Sequence, residues 1–421
     1  MASPSYPHVL IVGGGLGGLT LAQALRKQGI SFEIFERDPD ADARPQGWAI
    51  GLHTMLDDLL ASFPGDMPPM EVVNHLVPLD LPAQFIFYDS SKPGARFGVQ
   101  DGMEGGNKLL RANRHRLRDW LRTNIPVQYG KKATRIEQAE DKVTVHFGDG
   151  TRATGDILVG AEGIHSVARE HLLGDKKCRL KKLPIGILVG EVELSGDDMI
   201  RQLELAHSAY VTWGKVPSDQ QQTVMMFAGL NEVHPDGKSG KYYWLVGWND
   251  DEAASENKPY WTITATQEQM MAIAREKAQQ VFDPVFQEII EKTPVTGMKC
   301  PPLIFRDLEL EREDIPAGRV TLLGDAAHCM TPFRGEGGVC AMGDSLDLAR
   351  AIGRLSRGED TLEHAMASYR DIMLERGVKA VRASRQAFAA RRVPEMDNST
   401  SGPRLAWGSP ACAIPKEVIT L

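Results

Sequence analysis

The sequence predicts an α/β fold in which a doubly wound parallel sheet carries an inserted antiparallel sheet and is followed by C-terminal helices. Three observations predict this fold. The apolar run His8–Val12 leads directly into a glycine-rich turn and a helical pattern. Aromatic and β-branched runs separated by turns fill the chain between residues 183 and 249, and helical periodicity dominates after Thr266. Strands alternating with helices indicate parallel pairing, whereas consecutive short strands indicate antiparallel pairing.

The parallel sheet is predicted from one complete βαβ unit and two later strands. His8–Val12 suits a strand buried on both faces, Gly17–Gln28 has apolar residues at helical spacing, and Ser31–Phe35 returns to a strand. Asp156–Val159 and Gly318–Leu323 are further apolar runs of strand length. These segments therefore form the core of the first predicted sheet.

The remaining patterns predict antiparallel strands and C-terminal helices. Alternation in Lys131–Ala153, and the four runs PIGILVGEVEL, AYVTWGKV, TVMMFAGL and KYYWLVGW, predict antiparallel strands. Asn113 is expected to cap a helix. Further helices are predicted at Thr266–Glu291, Val339–Leu355 and Glu363–Arg392, before an irregular tail that begins near Pro394.

Composition excludes several classes of protein. A formal net charge of −8 over 421 residues, without a long Lys/Arg run, argues against a nucleic-acid partner. No basic segment precedes the first apolar run, and no apolar stretch reaches bilayer length, so a cytoplasmic protein is expected. Either a monomer or a homodimer is expected. The cysteines lack metal-ligand spacing, so reduced thiols and no metal are expected at Cys178, Cys300, Cys329, Cys340 and Cys412.

A glycine motif between the first strand and helix predicts dinucleotide binding. Gly13, Gly15 and Gly18 form GxGxxG, which lets backbone N–H groups approach a pyrophosphate at the start of the helix near Leu16. Glu36 follows the second strand, about twenty residues further on, where a carboxylate accepts hydrogen bonds from ribose hydroxyls. Glycine turns also occur without ligands, but here strand, helix and carboxylate coincide. This motif leaves FAD and NAD as alternatives.

A second glycine motif selects FAD through a family resemblance. Gly324-Asp325-Ala326-Ala327-His328, Thr331-Pro332-Phe333 and Gly335-Glu336-Gly337-Gly338 follow the strand at Gly318–Leu323. This layout resembles the GD motif of group A flavoprotein monooxygenases. The resemblance implies that Asp325 contacts the flavin ribityl chain and that Pro332 and the glycine-rich helix start border the isoalloxazine ring.

Further segments resemble the same family. Asp156–Ser166 with Arg169 is similar to its DG motif, Arg114–Leu117 to its Arg-x-x-Leu helix, and the loop with Arg44 and Gly47 to its cofactor loop. The motifs span residues 8 to 355, and TPFRGEGG resembles fungal members near the tetracycline-degrading branch. The implied fold is a Rossmann-like FAD-binding domain with an inserted antiparallel β-sheet substrate domain and C-terminal helices, as in para-hydroxybenzoate hydroxylase.

The motifs and the family resemblance predict domain limits and a set of cofactor-binding residues. Residues 1–75, 105–180 and 296–360 are expected to form the FAD-binding domain, 76–104 and 181–295 the substrate domain, and 361–421 a helical segment and tail. The expected FAD-binding residues are Gly13, Gly15, Leu16, Gly18, Glu36, Arg37, Arg44, Gly47, Arg114, Glu162, Gly163, Asp325, Pro332, Gly335, Gly337, Gly338 and Val339.

Two positions depart from the family pattern. Glu162 stands where the DG motif usually has Asp, and Val339-Cys340 replaces an Asn-containing segment near the flavin. Cys340 is expected to be a small buried hydrophobe rather than a reactive thiol. The unperturbed pKa of a histidine lies near neutrality, so His328 could act as a base, but its place in a cofactor turn favours a structural role.

Aromatic residues of the inserted sheet are candidates for the substrate pocket. Tyr242, Trp244 and Trp248 share one face of a strand and Tyr243 takes the other. Aromatics at this spacing are usually core, but the family builds its pocket from this sheet. The candidates are Trp213, Phe227, Tyr243, Trp244 and Phe333.

The resemblance implies an FAD-dependent monooxygenase, in secondary metabolism, with tightly bound FAD, dioxygen and NADPH or NADH as co-substrates. One oxygen atom is transferred through a flavin C4a-hydroperoxide to a small, largely apolar aromatic or polycyclic substrate. Hydroxylation, epoxidation and Baeyer–Villiger insertion stay open. A flavin-dependent halogenase is disfavoured because WLVGW at Trp244–Trp248 is not its WxWxIP signature. A non-redox cyclase, or a binding protein that keeps FAD as a scaffold, is the remaining alternative.

Overall fold

The computed structural model describes residues 7–44, 47–52, 55–90, 96–102 and 108–389. The predicted irregular tail and Cys412 lie outside these residues. The strands are β1 Val9–Val12, β2 Phe32–Phe35, β3 Ile50–Leu52, β4 Gln84–Asp89, β5 Arg96–Gln100, β6 Leu110–Ala112, β7 Val127–Gln128, β8 Ala133–Gln138, β9 Val143–Phe147, β10 Arg152–Gly155, β11 Ile157–Gly160, β12 Lys181–Lys182, β13 Ile185–Ser195, β14 Ala209–Val216, β15 Asp219–Val233, β16 Ser239–Asn249, β17 Arg306–Asp307 and β18 Val320–Leu322.

The α-helices are α1 Leu16–Lys27, α2 Leu56–Ala61, α3 Arg114–Leu121, α4 Val167–Lys177, α5 Gly196–Leu205, α6 Gln267–Val281, α7 Pro284–Lys292, α8 Asp325–His328, α9 Gly337–Ser356 and α10 Leu362–Ala389. No helix in the described ranges combines the length and the hydropathy that a bilayer crossing requires. Asn113 caps α3 as predicted, because its side chain accepts a hydrogen bond from the Arg116 N–H.

The first sheet is parallel and has the strand order β18-β11-β1-β2-β7. Its central strands are buried on both faces, which is why their sequences are continuous apolar runs. Helices α1 and α9 lie against each other beside it, and the Ser345 hydroxyl donates to the Gly17 carbonyl at 2.8 Å. This sheet and its helices form the predicted Rossmann-like unit.

The second large sheet has the order β13-β16-β15-β14-β4-β5. Apolar side chains on one face pack with those of α5, α6 and α7, while the opposite face carries a smaller apolar cluster that includes Tyr243 and Phe305. The four predicted strands pair antiparallel in the order β13-β16-β15-β14, as expected, and β4 joins β14 in parallel. The chain reaches β4 long before β14, so no hairpin constrains their relative direction.

Smaller differences have local causes. The helical pattern predicted over Thr266–Glu291 forms two helices, α6 and α7, because Pro284 lacks an N–H group and begins a new helix at its first position. The alternation in Lys131–Ala153 forms the three-stranded antiparallel sheet β10-β9-β8, as predicted. Strands β3 and β6 form a separate two-stranded sheet. The domain limits stay a prediction.

Candidate active site

An elongated cavity of about 1140 Å³ runs from the carboxyl end of β1 to the inner face of the second large sheet. Its lining includes Gly13 and Glu36 after β1 and β2, Asp325 and Gly337 after β18, and Tyr243 of the second large sheet. Ligand pockets usually hold about 300–1,000 Å³. The cavity therefore has room for a dinucleotide and a second, smaller ligand.

The turn after β1 needs its glycines for two different reasons. Gly13 has φ 116°, and a Cβ atom there would lie 2.3 Å from the Ala161 carbonyl oxygen. A Cβ at Gly18 would lie 2.0 Å from the Gly13 carbonyl oxygen, so Gly18 allows α1 to approach β1. Gly18 does not line the cavity, and its contribution is to packing. Gly15 and Leu16 do line it.

Helix α1 begins with its backbone donors open to the cavity. Gly15 is the N-cap and supplies no side-chain hydrogen bond, and a Cβ atom at Gly15 would meet nothing within 4 Å. The first N–H groups of a helix lack intrahelical partners and attract anions. This turn therefore offers donors and empty space for a pyrophosphate.

Glu36 closes the same end of the cavity at the end of β2. Its carboxylate accepts hydrogen bonds from the Gly14 N–H at 2.9 Å and the Asp38 N–H at 3.1 Å, and the residue is 5% exposed. Arg118 donates to the Gly14 carbonyl at 2.9 Å and lies 3.8 Å from the Glu36 carboxylate. Sequence reasoning missed Arg118, although it stands one helical turn after Arg114 on α3.

A second helix start opens onto the middle of the cavity. Asp325 is the first residue of α8, directly after Gly324, whose φ is 61°. Helix α9 starts at Gly337 without a side-chain cap, and a Cβ at Gly337 would be 3.8 Å from its nearest neighbour. Pro332 and Gly335 line the same region. Gly338 also lines it, but a Cβ there would lie 2.2 Å from Ile50 Cδ1.

The loop after β11 uses Glu162 as a structural acceptor. Its carboxylate accepts from the Ser166 hydroxyl at 2.6 Å and from the Ala168 N–H at 3.1 Å, at the start of α4. Desolvation raises the pKa of Glu162, while these hydrogen bonds oppose the increase. Glu162 and Gly163 both line the cavity. The longer side chain thus still reaches its partners.

Arg169 joins this loop to the second glycine turn. Its guanidinium donates to the Ile164 carbonyl at 2.7 Å and to the Ala326 carbonyl at 3.1 Å. The two loops come from β11 and β18, which are neighbours in the sheet. Arg169 therefore fixes the loop that carries Gly163 relative to the loop that carries Asp325.

Three of the predicted arginines line the cavity and one predicted glycine lies beside it. Arg37, Arg44 and Arg114 are lining residues. Desolvation lowers the pKa of Arg114, and the charge of the Asp325 carboxylate opposes that change. Gly47 does not line the cavity, but a Cβ on it would lie 3.7 Å from Arg114 Cδ.

His328 belongs to a buried ion network behind the glycine turn. Asp344 Oδ2 accepts from the Gly324 N–H at 2.9 Å and lies 2.6 Å from His328 Nε2, while Oδ1 accepts from Arg376 at 2.9 Å. Burial alone would lower the pKa of His328, but the Asp344 charge overrides it and raises the pKa. His328 does not line the cavity. This geometry gives it a structural role.

Val339 and Cys340, which replace the Asn-containing segment of the family pattern, do not line the cavity. Val339 packs against the core of the first sheet and does not line the cavity. Burial raises the pKa of the Cys340 thiol to about 12, so the thiol stays protonated at neutral pH. The expectation that Val339 contacts the cofactor therefore has no support from the cavity lining.

Four of the five aromatic candidates line the far end of the cavity: Trp213, Phe227, Tyr243 and Phe333. The prediction for Trp244 was wrong. Its ring lies against Gly190, where a Cβ would be 2.3 Å away, and its indole N–H donates to Thr293 at 2.8 Å. Successive side chains of a strand point to opposite faces, so Trp244 faces α7 when Tyr243 faces the cavity.

The structure adds two residues that sequence reasoning missed. Trp48 stacks on Tyr243 with ring centroids 4.9 Å apart, and its indole N–H donates to Glu191 at 2.8 Å. Arg111 on β6 donates to the Tyr243 hydroxyl at 2.6 Å. Both line the cavity. Trp48 directly follows Gly47 in the predicted cofactor loop, but neither Trp48 nor Arg111 belongs to a periodic pattern that reveals its partner.

The cavity fits a flavin adenine dinucleotide. Two helix starts with open donors, the buried carboxylate of Glu36 and the carboxylate of Asp325 suit a pyrophosphate, a ribose and a polyol chain. Gly15 and Gly337 leave space where side chains would block such a ligand. The fold and this cleft define an FAD-binding oxidoreductase.

Comparison with known proteins agrees with that class. A family model described as "FAD binding domain" matches residues 113–384, and one described as "NAD(P)-binding Rossmann-like domain" matches residues 11–44. The chain is 47% identical over 386 residues to the FAD-dependent monooxygenase thnD of Trichoderma harzianum, covering 90% of this chain and 92% of that protein. The chain therefore belongs to the FAD-dependent monooxygenases.

Solved structures share the fold at lower identity. The 2,6-dihydroxypyridine-3-hydroxylase of Arthrobacter nicotinovorans superposes with a TM-score of 0.70 at 17% identity, over 97% of this chain and 99% of that chain. Klebsiella pneumoniae HpxO, solved with FAD and uric acid, gives a TM-score of 0.68 at 21% identity, over 95% and 92% of the two chains. These similarities confirm the predicted fold class.

Proposed function

We propose that this protein is an NAD(P)H- and dioxygen-dependent monooxygenase that inserts one oxygen atom into a small, largely apolar aromatic or polycyclic substrate. The observation that carries the proposal is the continuity of the cavity. The part lined by Gly15, Glu36 and Asp325 opens directly into the aromatic part lined by Phe227 and Tyr243. A substrate in the aromatic part would therefore contact the ring end of a bound flavin.

The proposed placement of FAD assigns one task to each part of the cleft. Glu36 would accept the adenosine ribose hydroxyls, and the start of α1 would bind the pyrophosphate. Asp325 would hold the ribityl chain, and the segment from Pro332 to Gly337 would border the flavin ring. Bound FAD supplies hydride acceptance from a nicotinamide and the reaction with dioxygen.

The chain's own residues would orient the substrate and exclude water. Phe227, Phe333 and Leu245 form apolar walls at the sheet end of the cavity. An apolar wall binds a flat hydrocarbon skeleton without directional bonds, and it also keeps water from the reacting atoms. The proposed reactions are hydroxylation and epoxidation, because both need an oriented, electron-rich carbon in a dry pocket.

NADPH or NADH is proposed as a transient co-substrate. The Rossmann-like match over residues 11–44 covers the same turn that the proposal assigns to FAD. One turn binds one pyrophosphate, so the adenosine of FAD occupies it and the nicotinamide nucleotide reaches the cleft by another surface. NADH and NADPH would be distinguished by comparing flavin reduction rates in anaerobic mixing.

The experiment is turnover with a panel of aromatic and polycyclic phenols, acids and ketones. Purified yellow protein is mixed with NADPH or NADH, and nicotinamide oxidation, oxygen uptake and ¹⁸O incorporation from ¹⁸O₂ are measured together. The proposal predicts that one compound accelerates all three. A flavin-containing protein that incorporates no label and oxidises no nicotinamide across the panel would instead be a non-redox cyclase or binding protein.

A further inference from the structure

Arg111 places a cation inside the aromatic part of the cavity. The residue lies in the middle of β6, opposite Gly51 of β3, and is only 7% exposed. Its Nη2 donates to the Tyr243 hydroxyl, and its guanidinium carbon lies 5.6 Å from the centroid of the Phe227 ring. The Nε–H of Arg111 is buried and has no hydrogen-bond partner. Much of the donor capacity of this guanidinium is therefore unused.

Within the described part of the chain, Arg111 forms no ion pair with a carboxylate. The neighbouring His75 lies with Nδ1 2.7 Å from the Arg111 carbonyl, and burial, reinforced by the Arg111 charge, lowers its pKa well below the usual value. Arg116, also nearby, is 3.6 Å from Glu232. A buried charge without a partner is strongly unfavourable. This position therefore favours an anion that is not part of the protein.

The second large sheet is shaped to admit the guanidinium. Gly229 of β15 lies opposite Tyr243 of β16, and a Cβ atom on Gly229 would be 3.1 Å from Arg111 Nη2 and 2.9 Å from the Phe227 ring. Any side chain at this position would compress both groups. The absence of a side chain at Gly229 thus creates the space that Arg111 occupies.

Tyr243 is held so that its hydroxyl can donate to a ligand. Its ring stacks on Trp48, and its oxygen accepts the hydrogen bond from Arg111. Burial raises the pKa of Tyr243, with Arg111 opposing the change, so the hydroxyl stays protonated at neutral pH. Because the oxygen accepts from Arg111, the hydroxyl proton is available to another acceptor.

We infer that Arg111 and Tyr243 form an anion-binding subsite, and that the substrate is a flat apolar molecule carrying an acidic oxygen, either a phenolate or a carboxylate. The subsite deepens the proposed function, on which it rests, by naming the charge of the substrate. The anionic oxygen accepts from Arg111 and from the Tyr243 hydroxyl, while the apolar skeleton packs against Phe227. The substrate is thereby oriented by one polar end.

The experiment is equilibrium binding to the holoenzyme with oxidised FAD, without nicotinamide and therefore without turnover. The probes are 2-naphthoate and its neutral, nearly isosteric partner 2-naphthamide, followed by flavin difference absorbance. Wild-type protein should bind the acid more tightly than the amide. Arg111→Met should weaken binding of the acid about 10- to 100-fold, as loss of a charge-assisted hydrogen bond implies, and change binding of the amide less than about threefold.

The phenolate form of the ligand is tested with 4-nitrophenol, whose ionisation is visible by absorbance. A cationic subsite stabilises the phenolate, so the bound compound should absorb as phenolate at a lower pH than the free compound. Arg111→Met should abolish the shift and Arg111→Lys should keep part of it. The two probes separate a carboxylate-selective subsite from a phenolate-selective one, and either selectivity supports the inference.

Three controls make the result decisive. Arg357→Met removes an exposed arginine that is paired with Glu359, and it should change no probe affinity. Gly229→Ala leaves Arg111 in place but displaces its guanidinium, so it should weaken binding of the acid as well. Wild-type protein that prefers neither anion overturns the inference. Loss of FAD from Arg111→Met also overturns it, because the guanidinium would then bind the cofactor.

The binding experiments test the subsite separately from the proposed monooxygenase activity. A protein that binds 2-naphthoate through Arg111 but oxidises no nicotinamide would contradict the proposed monooxygenase activity and retain the subsite. A protein that hydroxylates a neutral compound and binds both probes equally would retain the activity and contradict the subsite.

Discussion

The two halves of the cavity are built by different means. The cofactor half is formed mainly by backbone groups: Gly13 and Gly324 adopt positive φ values, and helices α1 and α9 begin without side-chain caps. The substrate half is formed mainly by side chains: Trp48 and Arg111, from two distant parts of the chain, each contact Tyr243 of β16. The first half depends on local geometry, and the second on long-range pairing.

This difference predicts how each half responds to substitution. The loops of the cofactor half tolerate few substitutions. A buried ion network holds the loop at Gly324, and a Cβ atom at Gly13 or Gly18 would clash with a backbone oxygen. Changes in the substrate half should alter ligand choice more than stability, provided that they lie on the cavity face of the sheet.

The largest effect is expected from Asp344→Ala. This change leaves His328, Arg376 and the Gly324 N–H without their shared acceptor in a buried site, so the free energy of unfolding should fall by about 3–5 kcal/mol. Denaturant titration measures it. Asp347→Ala, which removes a more exposed partner of Arg376, is the control and should cost less than about 1 kcal/mol. Equal losses would contradict a special role for the buried network.

A second test compares two tryptophans of the same sheet. Trp244 is fully buried against Gly190 and α7, so Trp244→Ala should lower the free energy of unfolding by about 3–5 kcal/mol. Trp213 lines the cavity, so Trp213→Ala should cost less than half as much while changing which aromatic ligands bind. Thermal unfolding and ligand titration of both variants provide the readouts. The assignment of the two faces fails if Trp213→Ala is the more destabilising change.

Glu36→Gln tests the direction of FAD in the cleft. The amide keeps one acceptor oxygen but loses the charge that holds the Gly14 and Asp38 N–H groups and a ribose, so affinity for FAD should fall about tenfold. Affinity for FMN, which lacks the adenosine, should change much less. Fluorescence titration of the apoprotein with both flavins measures the ratio. An equal loss for FAD and FMN would place the adenosine elsewhere.

A smaller, pH-dependent effect is expected from His328→Gln. The raised pKa of His328 means that its protonated form stabilises the folded state fully below the ordinary pKa of 6.5. As pH rises through the folded-state pKa this contribution is lost, at no more than about 1.4 kcal/mol per pH unit. The stability difference between wild type and variant should therefore shrink from pH 5.5 to pH 9. A difference that grows with pH would mean that His328 is neutral in the fold.

Sequence reasoning found the cofactor half because its constraints are local. Only glycine suits the φ of Gly13 and the close contact at Gly18, and the end of β2 carries a carboxylate within one βαβ unit. Asp325 and Gly337 were instead found through the resemblance of their motif to a flavoprotein family; Asp325 opens α8 just after β18, and Gly337 opens α9. Their assignment to particular atoms of FAD stays a prediction.

The substrate half was found only in part, for physical reasons. Both faces of β16 are aromatic, so the pattern could not show that Tyr243 rather than Trp244 faces the cavity. Strand β6 has three residues, too few for a periodic signal, and Arg111 meets Tyr243 across 132 positions of chain. Trp48 depends on the same long-range packing. The sequence pattern therefore did not predict that the positive charge of Arg111 lies in the substrate half.

The central claim is that one FAD molecule spans the two open helix starts. Gly15→Ala and Gly337→Ala test it directly, because a methyl group at either position meets no atom closer than 3.8 Å outside its own turn of chain and would enter the space assigned to the cofactor. The measurement is the dissociation constant for FAD, with Gly318→Ala, which also meets nothing within 4 Å, as the control. We predict that both variants keep wild-type stability as apoproteins and bind FAD about 10- to 100-fold more weakly, while the control is unchanged. Wild-type FAD affinity in Gly15→Ala and Gly337→Ala would contradict the claim.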